Sequence, residues 1–215
     1  MLEILLIRHG ETDWNAERRL QGHLDIELNN EGARQATLLA AALQGEHIDA
    51  IYASDLRRAR QTAQAFATNR NMTVQIEQDL RERCYGAFEG LRYVEIAERF
   101  PQAYESMLAR ELDVRYPPGV NVAETLREFS ARAVGALMHL LKKHPEHKKI
   151  AVVTHGGVLD CLNRAARGLD LSLARDFDIP NAAINRFWWN GSKLQMAQWG
   201  DVAHLTSLAL DEVDR

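Results

Sequence analysis

Leu5-Leu6-Ile7-Arg8-His9-Gly10 and Val152-Val153-Thr154-His155-Gly156-Gly157 are two distant stretches built on one plan, and their reading decides the fold. Each is an apolar run without polar alternation that stops at a histidine followed by glycine. Such a run reads as a strand buried on both faces, the state of strands in a parallel sheet. Open parallel sheets bind ligands just beyond the carboxyl ends of their strands. Neighbouring strands lie about 4.8 Å apart. If these two are neighbours, both imidazoles face one crevice, and the glycines open backbone N–H groups to an anion.

Outward from these strands, the pattern alternates. Asn30 N-caps a helix over 31–43, where Leu38, Leu39, Ala42 and Leu43 recur at helical spacing. A strand over 50–53 follows, then a helix capped by Ser54 and reaching Thr68, then a short strand over 73–76. Residues 122–141 form a long amphipathic helix, 149–154 a buried strand, and 157–166 a helix. Residues 183–189 and 192–199 flank Asn190-Gly191, a strong hairpin signal. The segment 91–121 breaks the rhythm. It is helical in pattern, dense in charge, and closes on Tyr116-Pro117-Pro118-Gly119, so it reads as a small helical cap insertion in a single domain spanning 1–215. Strands alternating with helices predict a three-layer α/β/α fold, its central sheet mostly parallel with at least one antiparallel strand.

Bulk properties narrow the function. The 215 residues carry 26 Lys and Arg against 30 Asp and Glu, a net charge of −4. That balance argues against a general nucleic-acid binder. No apolar run approaches the ~18 residues of a membrane span. The N-terminus has no basic leader or cleavage site. Cys84 and Cys161 form no C-x-x-C pair and read as reduced thiols, which suits the cytoplasm.

Two further features gather around the two histidines. The helix after Ser54 opens with Arg57, Arg58 and Arg60, where cations oppose the helix dipole unless an anion reverses the sign. Spacing does not say which arginine points inward. Glu82, in Leu80-Arg81-Glu82-Arg83-Cys84-Tyr85-Gly86, is a carboxylate among arginines, alone no more than a surface ion pair.

Together, Arg8-His9-Gly10-Glu11-Thr12 with Trp14-Asn15, Ser54-Asp55-Leu56-Arg57-Arg58-Ala59, Leu80-Arg81-Glu82 with Gly86, and Thr154-His155-Gly156 resemble the histidine phosphatase superfamily. This is the family of cofactor-dependent phosphoglycerate mutases and related phosphatases. The likeness runs in order to Gly200-Asp201 and His204-Leu205. Length and the run Ala209-Leu210-Asp211-Glu212 further resemble the bacterial probable phosphoglycerate mutase B group of broad-specificity phosphatases.

The resemblance implies that His9 is the nucleophile, phosphorylated in turnover, and Glu82 the proton donor and acceptor. It places Arg8, Asn15, Arg58, His155 and the Gly156 backbone on the phosphoryl group. Gln21 and Gly22 match a substrate-contacting pair, with Arg60, Arg83 and Tyr85 at the rim. A neutral imidazole is a good nucleophile when its other nitrogen is pinned, here by a backbone carbonyl near Gly10. Arg8, Arg58 and a protonated His155 are expected to stabilise the phosphoryl oxygens. The arginines should favour ionised Glu82, so a bound phosphate dianion is needed to let it carry its proton.

Competing readings are weaker. Cys161-Leu162-Asn163-Arg164-Ala165-Ala166-Arg167 has the C-x5-R spacing of cysteine phosphatases but no glycine to cradle phosphate. His9, His155 and Glu82 could suggest a metal site, but the surrounding arginines repel a dication, so no metal is expected. Phe88-Glu89-Gly90 resembles the phosphatase branch, and no paired arginines occur in 91–121. Hydrolysis of small phosphorylated metabolites is therefore expected. A mutase needing 2,3-bisphosphoglycerate is the alternative, and a catalytically weak phosphate-ligand sensor a distant third. The resemblance leaves a homodimer open.

Overall fold

The strand Leu2–Arg8 (β1) sits inside a single sheet, with no described side chain in its apolar part left to solvent on either face except Glu3. The structure, a computed structural model, describes residues 1–143 and 145–205. His144 and the run Ala209-Leu210-Asp211-Glu212 lie outside the described residues. Joining β1 are β2 (Ala50–Ala53), β3 (Val74–Ile76), β4 (Lys149–Thr154), β5 (Ile184–Trp189) and β6 (Leu194–Asp201), in the order β3-β2-β4-β1-β5-β6. Pairs β2·β3, β2·β4 and β1·β4 are parallel, while β5 runs against both β1 and β6. Helices are α1 (Asp13–Ala16), α2 (Asn30–Ala42), α3 (Arg57–Thr68), α4 (Tyr93–Arg99), α5 (Pro101–Leu108), α6 (Leu126–Lys143) and α7 (Gly156–Arg167).

Strand alternation builds the three layers. Leu5 and Ile7, with Ile51, Ala53, Ala151 and Val153, pack against Leu39 and Leu43 of the α2 segment and Ala59, Ala63 and Phe66 of α3. Ile4 and Leu6, with Tyr52, Ile150 and Val152, pack on the other face against Phe129, Ala133 and Leu137 of α6 and Val158 and Leu162 of α7. The expected three-layer fold and its antiparallel edge are both present. A third apolar cluster joins Leu20, Tyr85 and Phe88 to Ile96, Met107 and Tyr116. Among the described residues, no helix is long and apolar enough to cross a membrane.

Among the boundaries that differ from the sequence reading, three have a local reason. Asn29, not Asn30, caps α2, its side chain accepting the Gly32 N–H at 2.8 Å. α6 begins at Leu126, not Val122. Thr125 and Glu128 form a reciprocal capping box, with Thr125 Oγ1 accepting from Glu128 N–H at 3.2 Å and the Glu128 carboxylate from Thr125 N–H at 2.9 Å. Ser54 does not cap α3; that helix starts after Leu56, and the first-turn N–H of Arg57 donates to the Asp25 carboxylate at 2.6 Å. A carboxylate brought from a distant loop thus offsets the charge of arginines at a helix N-terminus.

Candidate active site

The register Arg8↔Thr154 between β1 and β4 carries both strands to their carboxyl ends together. His9 and His155 follow directly, with ring centroids 5.1 Å apart. The matched strand ends anticipated this pairing. They did not anticipate the loop before β5 that holds the first of them. Asn181 Nδ2 and the Ala182 N–H both donate to the His9 carbonyl, at 2.9 and 3.2 Å, and Arg8 Nη1 donates to the Ile179 carbonyl at 2.5 Å. The contacting stretch Ile179-Pro180-Asn181-Ala182 carries no histidine, glycine or charge that would have revealed it.

His9 Nδ1 lies 2.7 Å from the carbonyl of Gly10. A carbonyl only accepts, so Nδ1 carries the proton and Nε2 keeps its lone pair. Burial, then Arg58 and Arg8, holds the His9 pKa well below the usual 6.5. The imidazole is therefore a neutral nucleophile near neutral pH. The Gly10 N–H donates to Thr62 Oγ1 of α3 at 3.0 Å. At Gly10 a Cβ would stand 2.7 Å from the Gly32 carbonyl oxygen, so only glycine lets the nucleophile loop lie this close to α2.

His155 departs from expectation in its charge. Arg58 Nε donates to its Nδ1 at 3.3 Å, and its Nε2 lies 2.9 Å from Ser54 Oγ. An acceptor at Nδ1 places the proton on Nε2, and burial, Arg58 and His9 lower its pKa well below the usual 6.5. The side chain is a neutral imidazole here, not the protonated one anticipated, because burial and the adjacent Arg58 guanidinium both disfavour its charged form.

Of the three helix-start arginines, Arg58 turns inward and is buried. Its Nη1 and Nη2 donate to the carbonyls of Leu24 and Gly22, at 2.9 and 2.8 Å. Burial depresses its pKa to about 10, which still leaves it a cation. Arg57 faces solvent and pairs with Glu27. Arg60 is exposed and lines a separate groove beside β3 with Gln64 and Met72, so it is not at the rim of this site. Two positions along a helix turn a side chain about 200° away.

Glu82 reaches the N-terminus of α7. One carboxylate oxygen accepts the Gly157 N–H at 2.9 Å, the other its neighbour's N–H, Arg83, at 2.7 Å. Burial raises its pKa above the usual 4.5, although those two donors, Arg58 and Arg8 all pull it down. Burial thus opposes the pull of the arginines and lifts the pKa of the proton donor, a factor the sequence did not display.

A cleft of about 470 Å³ opens above these groups, lined by Arg8, His9, Asn15, Arg58, Glu82, Gln21, Gly22 and Tyr85. Asn15 is buried and its oxygen closes a capping box with Thr12 at the start of α1, so any contact it makes in the cleft comes from its amide nitrogen. Gly22 adopts φ +52°, and a Cβ there would fall 2.1 Å from Glu89 Oε1. His155 and Gly156 lie behind the cleft wall rather than on it. Arg83 also leaves the rim. Its guanidinium donates to the Glu124 carbonyl and to Tyr116 Oη at 3.2 Å and lies 4.6 Å from the Tyr116 ring, tying the 109–125 segment down. Arg18, Arg19, Leu20 and Tyr93 complete the lining. Arg18 and Arg19 were not anticipated, for nothing in Glu17-Arg18-Arg19 distinguishes them from a solvated surface.

The decoys resolve simply. Cys161 is buried in α7, and its thiol is pushed up to about 12, leaving no thiolate. Trp189 packs in the core and Trp188 is exposed, away from the cleft. Among the described residues, no group of three His, Cys, Asp or Glu converges as a metal site requires.

Comparison with known proteins agrees with this geometry. Phosphoglycerate mutase-like protein 4 of Arabidopsis thaliana is 42% identical over 206 residues, covering 94% of this chain and 86% of that one. The metal-independent phosphoserine phosphatase of the same plant is 36% identical, over 96% and 84%. The probable phosphoglycerate mutase GpmB of Proteus mirabilis is 35% identical over the full length of both chains. Among solved structures, Bacillus stearothermophilus YhfR superposes with a TM-score of 0.85 at 30% identity, over 95% and 99% of the two chains. A mutant Entamoeba histolytica phosphoserine phosphatase in complex with phosphoserine superposes with a TM-score of 0.82 at 28% identity, over 95% and 100%. The family model described as histidine phosphatase superfamily (branch 1) matches residues 4–202, and with these relatives it shows that the chain belongs to the histidine phosphatase superfamily.

Proposed function

We propose that the protein hydrolyses phosphate monoesters of small metabolites through a phosphohistidine formed on His9. The observation that carries this reading is the pinned, neutral His9 imidazole on the wall of a cleft that also holds Arg8, Arg58 and the Glu82 carboxyl group. The His9 Nε2 lone pair attacks phosphorus as the ester P–O bond breaks, and Glu82 gives its proton to the departing alkoxide. Water then attacks the phosphohistidine, loses a proton to Glu82, and breaks the P–N bond to release inorganic phosphate. Arg8 and Arg58 stabilise the negative charge on the phosphoryl oxygens, with the Asn15 amide beside them.

His155 acts from behind, as a neutral imidazole orienting the Arg58 guanidinium. Gln21, Gly22 and Tyr85 line the space beyond the phosphoryl group. Guanidinium groups supply the cationic charge that metal phosphatases obtain from an ion, so the mechanism calls for no metal. The name of the metal-independent plant relative supports that reading. Hydrolysis is favoured over mutase chemistry by the phosphatase names among the relatives and neighbours. The segment 91–121 acts as a cap on a single domain, and the two unpaired thiols suit a cytoplasmic setting.

The test is phosphate release from a panel of small phosphoesters, with acid-labile label on quenched enzyme. Turnover and label that both vanish in His9→Ala are expected. Full activity in that variant would overturn the reading, and 3-phosphoglycerate isomerised only with added 2,3-bisphosphoglycerate would replace it with the mutase.

A further inference from the structure

The tripeptide Gly22-His23-Leu24 touches both halves of the site. The carbonyls of Gly22 and Leu24 accept from Arg58 Nη2 and Nη1, at 2.8 and 2.9 Å. The side chain between them reaches Glu82 instead. His23 Nε2 lies 2.8 Å from the backbone carbonyl of Glu82. A carbonyl only accepts, so Nε2 is the donor. The His23 N–H donates to Glu89 Oε1 at 2.9 Å, and the Tyr85 N–H to the same oxygen at 3.1 Å. His23 is half-buried and stands outside the lining of the cleft.

The carbonyl that His23 holds has a particular place. The Glu82 C=O and the Arg83 N–H belong to one peptide unit, and that unit is planar. The Arg83 N–H is one of the two donors that fix the Glu82 carboxyl group, at 2.7 Å. Fixing the carbonyl end of the plane therefore aims its N–H end, and with it the proton donor. Arg132 of α6 grips the same carbonyl at 3.1 Å, together with the carbonyls of Arg81 and Asp79 at 3.0 and 2.8 Å. Its guanidinium pairs with Glu124, whose carboxylate accepts the Cys84 N–H at 2.9 Å. The chain around Glu82 is thus anchored to α6 without His23. What His23 adds is a link from that peptide plane to the loop that holds Arg58.

We infer that His23 is a positioning residue, which sets the Glu82 carboxyl group relative to the Arg58-bound phosphoryl group through the Glu82–Arg83 peptide plane. This rests on the phosphatase reading above and adds to it a residue that never meets the substrate.

The leaving group separates positioning from packing. Protonation by Glu82 matters for glycerol 3-phosphate, whose alkoxide leaves poorly, and little for p-nitrophenyl phosphate. His23→Leu should lower kcat/KM for glycerol 3-phosphate about tenfold, the worth of one hydrogen bond, and leave that for p-nitrophenyl phosphate nearly unchanged. A loosened loop that merely weakened Arg58 would lower both alike. His23→Gln, whose amide nitrogen can replace Nε2 as donor, should restore most of the loss. His23→Asn, too short to reach the carbonyl, should behave as His23→Leu and replaces it if the leucine variant does not fold. In a Glu82→Gln background the same change should cost nothing further, because it acts through that carboxyl group. Equal losses on both esters, a loss that His23→Gln does not restore, a full further loss on top of Glu82→Gln, or wild-type rates in both His23→Leu and His23→Asn overturn the inference. In each of those cases phosphate release through a phosphohistidine in the wild type leaves the phosphatase reading standing. If the wild type hydrolyses neither ester and forms no phosphohistidine, it is the phosphatase reading that has failed.

Discussion

Gly157→Ala tests the acid–base assignment without touching an ionisable group. An added Cβ would stand 2.2 Å from Glu82 Oε1 and 3.1 Å from the Phe129 ring edge. Glu82 must then retreat by more than about 1 Å to regain ordinary contact, which breaks its bond to the Gly157 N–H. Misplacing a catalytic group by about 1 Å can cost about a hundredfold in rate. On stability, alanine is better than glycine in a helix by about 1 kcal/mol, while a lost hydrogen bond to a charged group costs about 1.5–3 kcal/mol. The net is a destabilisation of about 0.5–2 kcal/mol. Gly135→Ala in α6 is the control, since nothing lies within 4 Å of its added Cβ and the residue is exposed. That change should stabilise by about 0.5–1 kcal/mol with kcat unaltered. Denaturant unfolding and steady-state kinetics on both variants give opposite signs if the reasoning holds. A Gly157→Ala enzyme with wild-type kcat, or one stabilised as much as Gly135→Ala, would refute it.

Glu82→Gln should slow hydrolysis of an alkyl phosphate by about 10²–10⁴-fold, but hydrolysis of p-nitrophenyl phosphate far less, since that leaving group needs no proton; equal losses on both esters would remove Glu82 as the acid. For the wild type, kcat/KM should hold its value well below pH 6.5, because His9 stays neutral there, and fall on the alkaline side of a pKa above 4.5, where Glu82 ionises; a profile still rising through pH 6.5 would contradict the depressed His9. Stability has its own pH window. His9 and His155 have folded pKa values below 6.5, so the unfolded chain binds more protons between those values and 6.5, and stability drops as pH falls through that range. Each contributes up to about 1.4 kcal/mol per pH unit, opposed at its lower end by Glu82, whose raised pKa favours the folded state as pH falls. His155→Asn should flatten this slope in urea titrations, and an unchanged slope would count against a neutral His155. Gly22→Ala, facing Glu89 Oε1 at 2.1 Å with φ +52°, should destabilise by about 2–3 kcal/mol and raise KM through the Gly22 carbonyl that holds Arg58; a calorimetric Tm and KM both near wild type would show the loop to be more tolerant than its packing implies.

The sequence by itself determined the layers and the strand ends that carry His9 and His155, while their adjacency came from the pairing of β1 with β4. Short apolar runs with no polar alternation read as strands covered on both faces, and the Arg-His-Gly and Thr-His-Gly endings mark where these two stop. The Asn190-Gly191 hairpin, a motif local in the chain, was legible because its turn signal lies within a few residues. The Thr125–Glu128 capping box is equally local and sets the start of α6 at Leu126. Tertiary structure alone decided what depends on direction and desolvation. Arg57, Arg58 and Arg60 are equivalent by spacing, and only packing of α3 against the sheet turns Arg58 inward and Arg60 to another surface. The neutral His155 and the raised pKa of Glu82 follow from burial, which no local pattern encodes. The loop at 179–183 holds the nucleophile from some 170 positions away, a contact that exists only once β5 has folded beside β1.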